Sequence, residues 1–221
     1  MGTSASVIED FSERPAWTKV VQFNANFYND KILDTTRGFR QINNNSVELT
    51  LSTKGTVECV RWSRGFNTGK HVIEFIFPVR LRGRHARVGL GPDSVIQGAS
   101  NDRKWQGTKG TYTIDLTTGK AYQDQTVVGR LPGTSVMPDW FFMFVDMDNG
   151  TVQFGSDHLY FGTAFTNVNV TNESLYPIAT ASVTGAIIGI IYRGQGKEVN
   201  GPLRKKRSII PEKLHDVVVK S

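Results

Sequence analysis

With 221 residues, 38% of them apolar, 21% charged and 22 glycine, the chain has the make-up of one generous, turn-rich globular domain. Such a composition excludes a disordered or low-complexity chain, and no apolar run approaches the roughly 18 residues of a membrane-crossing helix. From Lys197 onward seven basic residues meet three acidic ones, a net of +4 out of +6, so the first 196 residues carry only +2. A nearly balanced body of this kind argues against a nucleic-acid-binding domain.

In chain order, residues 1 to 46 read as irregular and polar, with a short helix before "FNANFYNDK". The opening "MGTSASVIEDFSERP" lacks the charged-then-apolar order of a secretory signal, so a cytoplasmic location is expected. Gly2 followed by Ser6 fits the acceptor pattern for N-myristoylation. "VELTLST" (47–53) alternates apolar and polar side chains, as a strand with one wet face does. Cys59 stands alone within "TVECVRW" and reads as a small buried hydrophobe. One cysteine can build neither an internal disulfide nor a cysteine zinc cluster.

Strand-like runs continue with "HVIEFIFPV" (71–79), "HARVGL" (85–90) and "TYTIDL" (111–116). They resume with "WFFMFVDM" (140–147), "TVQFG" (151–155), "LYPIATASV" (175–183) and "AIIGIIYR" (186–193). Turn formers separate them, among them Arg82-Gly83, Thr118-Gly119 and Thr184-Gly185, and "LTTGKAY" is a good hairpin candidate. Short strands at this spacing, with almost no helical periodicity, predict an all-β sandwich of two antiparallel sheets. After Gly201-Pro202, "IIPEKLHDVVVK" predicts a short C-terminal helix whose Ile210, Leu214, Val217 and Val218 form one apolar stripe. A helix that short is marginal alone and needs a surface to lie on. The basic run Arg204 to Arg207 reads either as a nuclear or anionic-surface signal or as a solvated stretch.

One segment, "DMDNGTVQFGSD" (146–157), has two readings. Asp146, Asp148 and Asp157 occupy positions one, three and twelve of a calcium loop, whereas Asn149-Gly150 is a strong signal for a tight hairpin. The calcium loop requires glycine at position six and glutamate at twelve, yet these are Thr151 and the shorter Asp157. The flanks also read as strands, so a hairpin is predicted, with its aspartates at an exposed end and no metal.

Enzymatic signatures are sparse. His71, His85, His158 and His215 show no metal-ligand spacing, and His71 and His85, at strand starts, read as structural. No nucleophile elbow or phosphate-cradling glycine loop is present. Glu74 and Asp115 could be offered as the paired carboxylates of a sandwich-fold glycosidase, but isolated acids on the wet face of a sheet are the simpler reading. No catalytic residue and no cofactor is implied.

The blocks "GFNTGKHVIEFIF", "RGRHARVGLG", "IDLTTGKAY", "FVDMDNGTVQFGSDHLYFGTAF" and "LYPIATASV", in this order, resemble the SPRY (B30.2) domain. The likeness covers roughly residues 28 to 194 and points towards the SPRY domain- and SOCS box-containing family, Gustavus-like proteins included. It implies a bent, concanavalin-like sandwich in which an irregular segment (1–27) precedes the domain (28–196) and a basic tail (197–221) follows it. It also implies a non-catalytic rim of loops that grips an extended Asn-rich peptide. A SOCS box would then recruit elongins B and C and a cullin, delivering the target for ubiquitination.

Carried onto this chain, the family's Val-Trp-Gly pocket falls on Val183, Thr184 and Gly185, without the indole. Its basic-x-Pro-x-Ala stretch falls on Thr50, Ser52 and Lys54, and a pocket tyrosine falls near Asn101. The resemblance therefore implies the same surface with a different or weaker ligand. In the tail, Leu203 and Ile209 match the elongin-facing part only faintly, while Ile210, Pro211 and Leu214 resemble the cullin-facing Leu-Pro-x-x-Leu end. The sequence between is shortened, so the box looks eroded. Three functions follow: a ligase adaptor, a stand-alone scaffold or decoy, and, more remotely, a carbohydrate-binding or hydrolytic sandwich. "QINNNS" (41–46) resembles a ligand motif but reads most simply as a polar loop before the "VELTLST" strand.

Overall fold

Two-residue alternation of apolar and polar side chains builds a sheet with one dry face, and two such faces stacked together make the core of this chain. The computed structural model describes residues 14–22, 33–52, 56–96, 109–134, 136–168 and 173–196. Among the described residues there are fourteen strands: β1 (Leu33–Thr35), β2 (Phe39–Asn43), β3 (Ser46–Leu49), β4 (Glu58–Trp62), β5 (Lys70–Ile76), β6 (Arg87–Gly91) and β7 (Tyr112–Asp115). They continue with β8 (Lys120–Gln123), β9 (Thr126–Arg130), β10 (Trp140–Asp146), β11 (Thr151–Gly155), β12 (Tyr160–Phe165), β13 (Tyr176–Ala181) and β14 (Ile187–Gly196). One sheet runs β1-β4-β13-β6-β7-β8-β9 and the other β12-β11-β10-β5-β14-β3-β2, with every pairing antiparallel. The all-β sandwich is as the sequence predicted; the C-terminal helix, Gly2 and the whole tail lie outside the described residues.

The inner faces interdigitate into one apolar cluster that includes Leu49, Val60, Trp62, Ile73, Phe75, Ile114, Phe141, Phe154 and Ile190. Trp62 of β4 stacks on Tyr192 of β14, rings 5.1 Å apart and only 9° from parallel, and so ties one sheet to the other. Phe75 and Phe141 stack at 5.8 Å on neighbouring strands. Full burial of one such aromatic contributes about 1.5–3 kcal/mol. Cys59 is fully buried, as its apolar setting foretold.

Three local readings need correction. Residues 33–43 are not irregular: they form β1 and the edge strand β2, and "QINNNS" is the end of β2, a tight turn and the start of β3. The side chains of β1 are half-buried and those of β2 mostly exposed, so no apolar alternation announces them. The Asn149-Gly150 hairpin is present, pairing Asp146 with Thr151. Its first aspartate, however, is buried instead of exposed: Asp146 accepts a 2.6 Å bond from the equally buried Lys70 ammonium. It also accepts bonds from the backbone and side-chain amides of Asn149 at 3.0 and 2.9 Å. Burial alone would push the carboxyl up, but the Lys70 and Asn149 bonds outweigh it and hold Asp146 below the usual carboxylate range.

Candidate functional site

The end of β3 and the turn before β14 are sewn together at one end of the sandwich. Leu49 donates its N–H to Ala186 at 2.8 Å, and Gly185 returns an N–H to the Leu49 carbonyl at 2.7 Å. Beyond Leu49 the chain is held by Gly38, whose carbonyl accepts from the Thr50 N–H (2.8 Å), the Thr50 hydroxyl (2.9 Å) and the Leu51 N–H (3.1 Å). Ser52 donates its hydroxyl to the Ser182 carbonyl at 2.9 Å. Thr50, Ser52, Val183, Thr184 and Gly185 therefore lie along one rim. Lys54 and Asn101, the other two positions carried over for peptide contact, fall outside the described residues, as do Leu203, Ile209, Ile210, Pro211 and Leu214.

Backbone conformation fixes the shape of this rim. Gly185 has φ +87°, a left-handed conformation that glycine adopts without the Cβ penalty, and open space surrounds it. Gly38 has φ +93°, and a Cβ there would sit 2.2 Å from the Leu51 carbonyl oxygen. A third segment joins through Gly83, where a Cβ would meet Val183 Cγ2 at 2.4 Å and Ser182 Oγ at 2.9 Å. Arg84 and His85 follow in the same turn, both exposed. The turn is fastened to β13 by the Thr180 hydroxyl, which donates to the His85 carbonyl at 2.7 Å. His85 is thus a surface ring rather than the structural one its position suggested.

Beneath the turn Arg82 acts as a clamp. Its guanidinium donates to the carbonyls of Phe77 (2.5 Å), Pro138 (2.5 Å), Leu116 (3.5 Å) and Met137. Burial lowers its pKa to about 10, with Asp139 opposing the fall, so the group stays cationic at neutral pH. On top, the rim offers apolar surface to solvent: Leu51 is 70% exposed and Val183 44%. Sequence reasoning found Val183 but missed Leu51, Gly83 and Arg84, because the family positions it compared step past them.

The remaining candidates for chemistry do not converge. Glu74 and Asp115 belong to different sheets, and neither lies on a wet face: both are buried. Glu74 pairs with Arg193. Asp115 accepts from the backbone amides of Thr117 (3.0 Å) and Thr118 (2.9 Å) and from both their hydroxyls, closing the "LTTGKAY" hairpin. His71 is structural as predicted. Its Nε2 lies 2.8 Å from the Thr68 carbonyl, which can only accept, so Nε2 carries the proton and Nδ1 accepts from the Tyr192 hydroxyl at 3.1 Å. Burial lowers the pKa of His71 and raises that of Tyr192. Asp148 accepts the Gly69 N–H at 2.6 Å. Among the described residues no group of three or more metal-ligating side chains occurs, and no helix is long and apolar enough to cross a membrane.

Comparison with known proteins identifies the fold. The SPRY domain family model matches residues 74–195. Protein gustavus of Drosophila melanogaster is 30% identical over 135 residues, which cover 57% of this chain and 48% of that protein. Human SPRY domain-containing SOCS box protein 1 is 28% identical over 135 residues, 57% of this chain and 49% of that protein. Human SPRY domain-containing SOCS box protein 2 is 27% identical over 172 residues, 71% of this chain and 62% of that protein. The chain spans about half the length of the first two relatives. Two solved structures share the fold at a TM-score of 0.55: the SPRY domain of human HERC1 (17% identical, 71% of this chain and 94% of that one) and the TRIM65 PSpry domain (14%, 73% and 90%). A match across more than half of the chain, on two antiparallel seven-stranded sheets, leads to one conclusion: the chain belongs to the SPRY domain family.

Proposed function

We propose that this chain is a non-catalytic protein-interaction module that grips an extended peptide segment of a partner through the rim formed by Thr50, Leu51, Ser52 and Val183 to Gly185, with Lys54 and Asn101 carried over from the family likeness as further contacts. One observation carries the reading: Leu51 and Val183 expose apolar surface on loops that are hydrogen-bonded to the sheet ends rather than free. A pre-ordered apolar rim loses little conformational entropy on binding. Kinship with proteins named for a SOCS box supports a finer reading, that of a target-recognition adaptor working with elongins B and C and a cullin. The faint match of Leu203 and Ile209 to the elongin-facing part favours a second reading, a stand-alone scaffold or decoy that binds targets without delivering them. The cytoplasm suits either.

Peptide-display selection against the full chain, followed by calorimetry on wild type and Val183→Asp, tests the rim. Selected peptides should lose about tenfold or more in affinity, roughly 1.4 kcal/mol, when a charge replaces the isopropyl group. Peptides that bind both proteins equally would defeat the assignment of the rim. So would low-micromolar binding of an Asp-Ile-Asn-Asn-Asn peptide, for the claim that the ligand has changed. Co-purification with elongins B and C separates adaptor from decoy.

A further inference from the structure

The two exposed aliphatic side chains of the rim stand between two arginines. On one side, Arg37 shares a turn with Gly38, whose carbonyl holds Thr50 and Leu51. On the other, Gly83 packs against Val183 and the chain continues into Arg84. Both arginines are exposed, and among the described residues neither guanidinium has an ion-pair or hydrogen-bond partner. None of the segments 36–38, 49–52, 82–85 and 182–187 contains an aspartate or a glutamate. Glu58, which faces Ala181 across the ladder, is already engaged by the Thr36 hydroxyl at 2.6 Å.

Contacts fix the order of the row. The 37–38 turn meets Thr50 and Leu51 through the Gly38 carbonyl, Ser52 meets Ser182 through its hydroxyl, and Val183 meets Gly83 by packing. Leu51 and Val183 are therefore the middle of the row and the arginines its ends. Neighbouring segments in contact lie roughly 5 Å apart, so three such steps separate the outer two by about 15 Å. An extended chain rises about 3.3 Å per residue and turns every second side chain to the same face. Residues i and i+4 of such a chain are thus about 13 Å apart, with i+2 between them on that face. The long arginine side chains cover the difference.

Resting on the rim reading above, we infer that the ligand is an acidic segment of another protein with the pattern acid-x-aliphatic-x-acid. Its central side chain lies between Leu51 and Val183, and its two carboxylates meet Arg37 and Arg84. Arginine suits that task because its planar fork grips a carboxylate through two parallel bonds. Exposed pairs of this kind add little affinity each, but they speed encounter and reject cationic segments. A second copy of this chain, itself at a net +6, is repelled overall. An anionic bilayer matches the arginines, but two aliphatic groups pinned to sheet ends offer it little to insert.

The probes are the peptide Ac-Ser-Glu-Ser-Leu-Ser-Glu-Ser-amide and its versions with glutamine or lysine in place of both glutamates, each titrated into the 15N-labelled full chain. The glutamate peptide should move the amides of Thr50 to Ser52 and Val183 to Gly185. It should bind about fivefold or more tighter than the glutamine peptide, the value of two exposed ion pairs, and the lysine peptide should bind most weakly. The preference should shrink as salt rises from about 50 to 500 mM, and should turn towards the lysine peptide in the double variant Arg37→Glu with Arg84→Glu. Equal binding of the glutamate and glutamine peptides at the rim overturns the acidic ligand and leaves the rim itself standing. Absence of rim shifts with all three peptides also overturns it, and the display selection then decides the rim by itself. Rim shifts that grow with protein concentration before any peptide is added, or that appear on phosphatidylserine vesicles, give the site to a second copy or a membrane and overturn it as well. The three-peptide comparison on wild type decides the matter even if a variant fails to fold.

Discussion

Replacing Asp146 by Asn tests how the most buried ion pair among the described residues is balanced. The side chains of Lys70 and Asp146 are only 5% and 7% exposed, and they join the first residue of β5 to the last of β10. Removing one charge from a buried pair costs about 3–5 kcal/mol. Asn keeps an acceptor for the Asn149 amide, so the lower end, about 3 kcal/mol, is expected. For a domain of this size that lowers the Tm by about 6–12 °C. The deficit must depend on pH in a defined direction. The carboxyl of Asp146 titrates below its unfolded value of about 3.9, so the stabilisation is complete above that pH and is lost as pH falls through the folded value. Urea unfolding followed by tryptophan fluorescence, at pH 7 and then down to pH 2, should show wild type and variant converging in acid. The double replacement Lys70→Met with Asp146→Leu should recover much of the loss, since well-packed apolar groups often match a buried pair. A variant within about 0.5 kcal/mol of wild type at pH 7, the range of an ordinary surface change, would refute the reasoning. An equal deficit at both ends of the pH range would do the same.

Three further substitutions probe the core, the rim and an unhindered glycine. Because burial depresses the pKa of His71, the unfolded chain takes up its proton first, and stability should decline as pH falls below about 6.5. His71→Gln should flatten the Tm profile in that window, whereas parallel wild-type and variant profiles would remove His71 as the cause. Gly38→Ala combines left-handed strain with a 2.2 Å approach to the Leu51 oxygen, while Gly110→Ala, at φ +87° with open space, carries strain alone. Strain should cost about 1–2 kcal/mol, so the denaturation midpoint of the Gly38 variant should fall clearly further than that of the Gly110 variant.

Apolar, β-branched and aromatic runs made the central strands visible: β10 and β11 with their Asn-Gly turn could be placed within a residue from composition alone. Two edge strands escaped notice because they face water. β9, "TVVGR", and β2, "FRQIN", carry exposed side chains that give no alternating signal. The rim was half legible. Family likeness located Val183 and Ser52, yet the partners that shape them, Gly38 and Gly83, are far away in the chain and reach the rim only through tertiary contact. The same holds for Lys70 and Asp146, 76 positions apart, whose acid looked like a hairpin-tip residue until the neighbouring strand supplied its cation.

The bond from Ser52 to Ser182 spans 130 positions, and the Arg82 clamp gathers carbonyls from residues up to 56 positions further on. Contacts between such distant parts of a chain are slow to close during folding. A nascent chain that has emerged only as far as β12 lacks the 182–185 turn altogether and cannot present the rim. The proposed capture of a partner therefore has to wait until the 182–185 turn has been made, and a chain ended before that turn would lack the rim.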